Sequence, residues 1–208
     1  LTGNLACTTK TLNTLSSTSY TITLANCTSG TSGSIQLNAS AIKDAANNFA
    51  VLTTATRTLT IDTTAPTASF TTKPGAYTTS TADIHYVVTF SEAVTSMTSA
   101  KISIAGGGCA LKAGSFIATS STIYEFDITG CNDGVTATIT LAANAGTDVA
   151  GNTGPASAVA ASTIIDATAP TVVTWSNSQA SLTNAATLTY TLTFSEAVSG
   201  LTASSFNI

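Results

Sequence analysis

Along most of its length the chain alternates apolar and polar residues one for one. In the stretch 82–90, Ile84, Tyr86, Val88 and Phe90 fall on one face, and Asp83, His85, Val87 and Thr89 on the other. A period of two marks a half-buried β-strand. The same apolar face returns as Leu188, Tyr190, Leu192 and Phe194, with Thr at every position between. Tyr124, Phe126 and Ile128 make a second face, echoed by Tyr20, Ile22 and Leu24. Ile139 and Leu141 make a third, echoed by Ile35 and Leu37. No stretch sustains a helical period.

Every echo lies 104 residues from its partner, and 208 residues are two such periods. Asp62-Thr63-Thr64-Ala65-Pro66 returns as Asp166-Ala167-Thr168-Ala169-Pro170, and Phe90-Ser91-Glu92-Ala93-Val94 returns unchanged as Phe194-Ser195-Glu196-Ala197-Val198. Asp44-Ala45-Ala46-Asn47-Asn48 recurs as Asp148-Val149-Ala150-Gly151-Asn152. A fixed period of this size marks a tandem array of small domains. Seven short strands fit one period, near 67–72, 82–90, 100–104, 111–118, 122–129, 135–142 and 157–165, which predicts an all-β chain of antiparallel β-sandwiches. One unit, 62–165, is complete. Residues 1–61 match the second part of a unit and residues 166–208 the first part. The two parts together make one period, so the cut closes on itself. Two explanations follow: a repeating piece of a longer polypeptide, or separate subunits in which 166–208 of one copy completes 1–61 of the next by strand complementation. Leu1 then reads as an internal or processed start.

Charged residues make up 8% of the chain, and its net charge is −4. Six scattered Lys and Arg residues cannot form the basic stripe that phosphate backbones require, which excludes nucleic acid as a partner. No run approaches the ~18 apolar residues of a membrane span. The cysteines fall as Cys7 and Cys27, then Cys109 and Cys131, one pair per repeat. That pattern predicts two disulfides and an oxidising, extracellular location. Each would stabilise its unit by roughly 3 kcal/mol through loop closure.

Repeats of about 100 residues with D-x-T-A-P before the first strand, F-S-E-A-V after the second and D-x-A-x-N before the last resemble the bacterial immunoglobulin-like repeats of large surface adhesins and extracellular fibres. The resemblance covers the whole chain as one full unit and two halves. It implies tandem immunoglobulin-like sandwiches acting as stalk modules outside the cell, often rigidified by calcium at the linkers. The paired cysteines depart from many members.

Six of the ten acidic residues occupy three repeated positions: Asp44 and Asp148, Asp62 and Asp166, Glu92 and Glu196. In a sandwich the linker, the loop after the second strand and the loop before the last lie at one pole. Asp62, Glu92 and Asp148 are therefore expected to converge, and Asp166 and Glu196 to do so with Asp44 of an adjoining half. Carboxylates gathered without a basic partner repel one another unless a cation joins them, and calcium takes 6–8 oxygen ligands. The competing reading makes Asp44 and Asp148 Asx-turn formers, Glu92 and Glu196 bend caps, and the linker Asp an acceptor for backbone amides. Asn48 and Asn152 read as turn formers. Asp133 is placed to reach the next linker, but its counterpart Ser29 is a different kind of group, so that role is not expected to repeat.

Nothing points to catalysis. Ser91-Glu92 and Ser195-Glu196 lack a partner histidine, the single His85 lies on an outward position matched by Thr189, and Gly106-Gly107-Gly108 has no following Lys for a phosphate cradle. Trp175 stands where the intact unit has Thr71 and reads as a core aromatic, or else as a contact between domains. Asn26-Cys27-Thr28 and Asn38-Ala39-Ser40 match the glycosylation pattern by chance in so Ser/Thr-rich a chain. The expectation is a non-enzymatic extender of an extracellular bacterial fibre or adhesin stalk. Its partners are copies of itself or neighbouring repeats head to tail, and a host or neighbouring cell surface. The competing class is a carbohydrate- or ligand-binding module, which requires a concave cluster of exposed aromatics.

Overall fold

The computed structural model describes residues 2–3, 5–35, 42–51, 58–79 and 83–207. It is an all-β structure. The first segment carries β1 (Thr2–Gly3), β2 (Cys7–Thr14), β3 (Tyr20–Cys27), β4 (Ser32–Ser34) and β5 (Thr58–Thr60). The middle carries β6 (Ala68–Thr72), β7 (Tyr77–Thr78), β8 (Ile84–Phe90), β9 (Ile102–Ala105), β10 (Ala110–Leu111), β11 (Ile117–Ala118), β12 (Ile123–Thr129), β13 (Thr136–Leu141), β14 (Gly146–Thr147), β15 (Thr153–Gly154) and β16 (Val159–Ile165). The last segment carries β17 (Val172–Asn177) and β18 (Tyr190–Phe194). Leu37 and Asn38 lie outside the described residues.

In the middle segment one sheet runs β10-β12-β8-β6, with β11 also on β12, and a second runs β7-β16-β13-β9. The alternation forecast from sequence sets which side chains point inward. Tyr86, Val88, Phe126, Ile128, Ile139 and Leu141 are at most 1% exposed and form one cluster drawn from both sheets, so the sheets pack as a sandwich. Tyr86 stacks on Phe126 at 5.6 Å and meets Phe70 edge-on at 6.0 Å. The architecture is compatible with an immunoglobulin-like sandwich.

Three details depart from the expected strands. The 111–118 strand is broken into β10 and β11, because Ser115 turns inward and its Oγ accepts the Asp127 N–H at 3.0 Å. The chain also changes sheets after β6. β7 joins the second sheet, where it runs parallel to β16, so the sandwich is not wholly antiparallel. A hairpin of β14 and β15 adds to the loop before the last strand.

The pairings themselves repeat. Thr136↔Ile164, Ala137↔Thr163 and Thr138↔Ser162 of β13 and β16 recur one period earlier as Ser32↔Thr60, Gly33↔Leu59 and Ser34↔Thr58 of β4 and β5. Ile117↔Glu125 and Ala118↔Tyr124 recur as Asn13↔Thr21 and Thr14↔Tyr20. Ala68↔Phe90 recurs as Val172↔Phe194, and the 3-10 turn Ser99–Lys101 as Ala203–Ser205.

Burial does not repeat. Tyr20, Ile22, Leu188 and Tyr190, expected inward, are exposed, because within the described chain no second sheet covers their faces. Trp175 is exposed too, contrary to its expected core place. A register shift between Val172 and Thr174 sets it opposite Leu192, where Phe70 stands opposite Val88. It meets Tyr190 edge-on at 6.4 Å as Phe70 meets Tyr86. Its structural counterpart is thus Phe70, not Thr71.

Candidate metal site and linker anchors

Asp62 sits on the linker between β5 and β6, Glu92 just after β8, and Asp148 between β14 and β15. Two ties draw these separate elements to one pole. Thr95 and Thr147 exchange backbone hydrogen bonds of 2.7 and 3.0 Å, clamping the Glu92 loop to the Asp148 loop. Asn152 Nδ2 donates to the Asp62 carbonyl at 3.1 Å, tying the linker to the same loop. Close packing supports this arrangement: a Cβ on Gly154 would stand 1.8 Å from the Pro66 carbonyl oxygen. One carboxylate oxygen from each of Asp62, Glu92 and Asp148 lies within 4.8 Å of the others. These three could hold a divalent ion.

The turn chemistry is present as well. Asp148 accepts the Asn152 backbone N–H at 2.8 Å through Oδ1 and its side-chain amide at 2.9 Å through Oδ2. Asp44 and Asn48 repeat both bonds, each at 2.9 Å. The Asn152 bonds, partly offset by desolvation, hold the Asp148 carboxyl below its ordinary range, and the Asn48 bonds do the same for Asp44. Asp62 Oδ1 accepts the Thr64 N–H at 3.0 Å. Glu92 is pushed the other way, first by desolvation and then by the charges of Asp148 and Asp62. Among the described residues no ion pair involves the trio; Lys112 pairs with Asp83, and the His85 ring lies beside Asp127 and Glu125. Asp166, Glu196 and Asp44 form no such group within the described chain.

The loop after β12 anchors the following linker. Asp133 Oδ1 accepts the Ala167 N–H at 2.6 Å, and Oδ2 accepts the Thr168 hydroxyl. One period earlier, Ser29 Oγ accepts the Thr63 N–H at 2.9 Å and lies 3.3 Å from the Thr64 hydroxyl. The role expected not to repeat does repeat, because the contact needs only an acceptor at that position. Serine and aspartate both supply one. Spacing was the available signal, since Ser29 and Asp133 are one period apart.

Both expected disulfides are formed, Cys7 to Cys27 and Cys109 to Cys131, and no cysteine is free. His85 is better engaged than a lone surface histidine: its Nδ1 is 2.9 Å from Asp127 Oδ1. Asp127 is distant in sequence, and only the β8–β12 register brings it there. No described helix is long and apolar enough to cross a membrane.

No family model, curated protein or solved structure matches the chain.

Proposed function

We propose that the chain is a structural extender, a run of immunoglobulin-like sandwiches of about 104 residues with 62–165 as the complete unit, in an extracellular bacterial fibre or adhesin stalk. The observation that carries this reading is the return, one period apart, of the same strand register and the same linker anchor. A protein selected for one binding site has no need to copy a linker contact. A protein selected for length does.

The mechanism is mechanical. Hydrogen bonds at Ser29 and Asp133 hold each linker against the unit before it, and Pro66 and Pro170 stiffen the junctions. Tension from linker to linker pulls the start of β7 and the end of β16 in opposite directions. Because the two strands are parallel, their bonds, including Ile164 N–H to Ala76 O at 2.8 Å, are loaded together in shear. The Cys109–Cys131 bridge limits how far a yielding unit can unravel. Asp62, Glu92 and Asp148 would hold calcium at the linker, a hard cation suited to an all-oxygen donor set, and so lock the pole.

One observation favours the ligand-binding class: Trp175, Tyr190 and Phe206 line an open apolar groove. Against it, the counterpart of Tyr190 in the complete unit is the core residue Tyr86. The test is single-molecule extension of the chain alongside a glycan array. The extender reading expects a distinct force peak and no glycan signal. Yielding without a peak, or specific glycan capture, contradicts it.

A further inference from the structure

The two terminal segments expose what the middle segment buries. Tyr190 is 54% exposed where Tyr86 is 1%, and Leu188 is 52% exposed where Ile84 is 4%. On the other segment Tyr20 is 54% exposed against 5% for Tyr124, and Ile22 49% against 0% for Phe126. In the complete unit these two faces are neighbours, because β8 pairs with β12. At the termini β18 pairs only with β17 and β3 only with β2 in the described chain, which leaves each with an open edge. Neither strand carries a charge, so nothing on either edge opposes pairing.

The two faces also match in volume. Where the complete unit sets Val88 and Phe126 in its core, the terminal pair offers the larger Leu192 and the smaller Ile22. Ile84 and Ile128 become the isomeric Leu188 and Leu24. A shrinkage on one segment is met by growth on the other, the pattern that keeps a shared core filled.

We propose that the groove of residues 166–208 is filled by residues 1–61 of a second copy of this chain, forming a complete sandwich between chains. This inference rests on the extender reading and supplies its head-to-tail contact. β18 of one copy pairs antiparallel with β3 of the next in the β8–β12 register, which sets Leu192 opposite Tyr20, Thr191 opposite Thr21, Tyr190 opposite Ile22 and Leu188 opposite Leu24. Trp175, standing where Phe70 stands, loses exposure on joining.

The test uses the full chain. Sedimentation velocity across rising concentration should show a ladder of head-to-tail oligomers, and emission from the single Trp175 should shift to the blue over the same range. A Thr21→Cys chain mixed with a Thr191→Cys chain should give a disulfide-linked pair, while either variant alone gives none. Tyr190→Asp, which places a charge in the new core, should weaken association by roughly 100-fold or more. Its thermal transition from the 62–165 unit should be unchanged, which separates lost association from lost folding. A chain that stays monomeric at millimolar concentration overturns the proposal. So does a link between Thr21→Cys and Thr189→Cys chains stronger than that with Thr191→Cys. A small ligand that blue-shifts Trp175 in a persistent monomer also counts against it. If association fails but the force peak persists, only this inference falls and the extender reading stands.

Discussion

Tyr86 gives the sharpest stability forecast. Its ring is among the most buried in the protein, packed between Phe126 and Phe70. Its hydroxyl, buried with it, finds no hydrogen-bond partner among the described residues. Leaving such a group unsatisfied costs about 1–3 kcal/mol, whereas the ring contacts are indifferent to the oxygen. Tyr86→Phe should therefore raise the stability of the 62–165 unit by about 1 kcal/mol. For a unit near 100 residues that is a rise of about 4–8 °C in Tm. Tyr86→Ala should cost about 3–5 kcal/mol. Burial also pushes the Tyr86 phenol up to about 12 from its ordinary 10. The unfolded chain releases that proton first, so stability falls as pH rises from 10 toward 12. The Phe variant should lose part of that alkaline decline. Thermal and urea denaturation at pH 7 and pH 11 read both effects. A Tyr86→Phe protein less stable than its parent by more than about 1 kcal/mol would show that the hydroxyl is satisfied after all.

Further forecasts follow from the pole and the bridges. Gly154→Ala should destabilise by about 1–3 kcal/mol in urea titration, because its methyl group overlaps the Pro66 carbonyl. Replacing Cys109 and Cys131 together by Ser should cost about 3 kcal/mol, and an unchanged midpoint would contradict the loop-closure account. In cation-free buffer Glu92, raised above its ordinary 4.5, makes stability decline as pH climbs through its folded value. Asp148, held below 3.8, adds stability that is lost as pH falls through its own. Glu92→Gln should flatten the first trend and leave the second. Calcium should raise the parent's Tm and EDTA reverse it, with the response lost in Glu92→Gln; equal melting with and without EDTA removes the metal from the account.

The two-residue alternation in 82–90, 122–129 and 135–142 was enough to name the core, because a strand's inward face is a local property of the chain. The convergence of Asp62, Glu92 and Asp148 was also legible, since it follows from which loops share a pole. Trp175 was misplaced because a bulge shifts the register by a residue that no sequence spacing reveals. The Ser29 anchor was dismissed on side-chain type, although its contact required only an oxygen in reach of Thr63 N–H. The parallel β7 and the inward turn of Ser115 depend on contacts between distant strands, beyond the reach of a local pattern. Tyr20 and Tyr190 share the alternation of the buried Tyr124 and Tyr86 but are exposed, because a period-of-two pattern sets the face of a strand and not whether a second sheet lies over it.

We read the two terminal segments as halves of the fold seen whole at 62–165. Residues 166–208 joined directly to residues 1–61 and expressed as one 104-residue chain put this to the test, by amide exchange and by the solution structure. A single cooperative unit is expected, with Tyr190, Leu188, Tyr20 and Ile22 buried and the β18–β3 register given above. A chain with no cooperative transition, or one in which β3 and β18 do not pair, would contradict it.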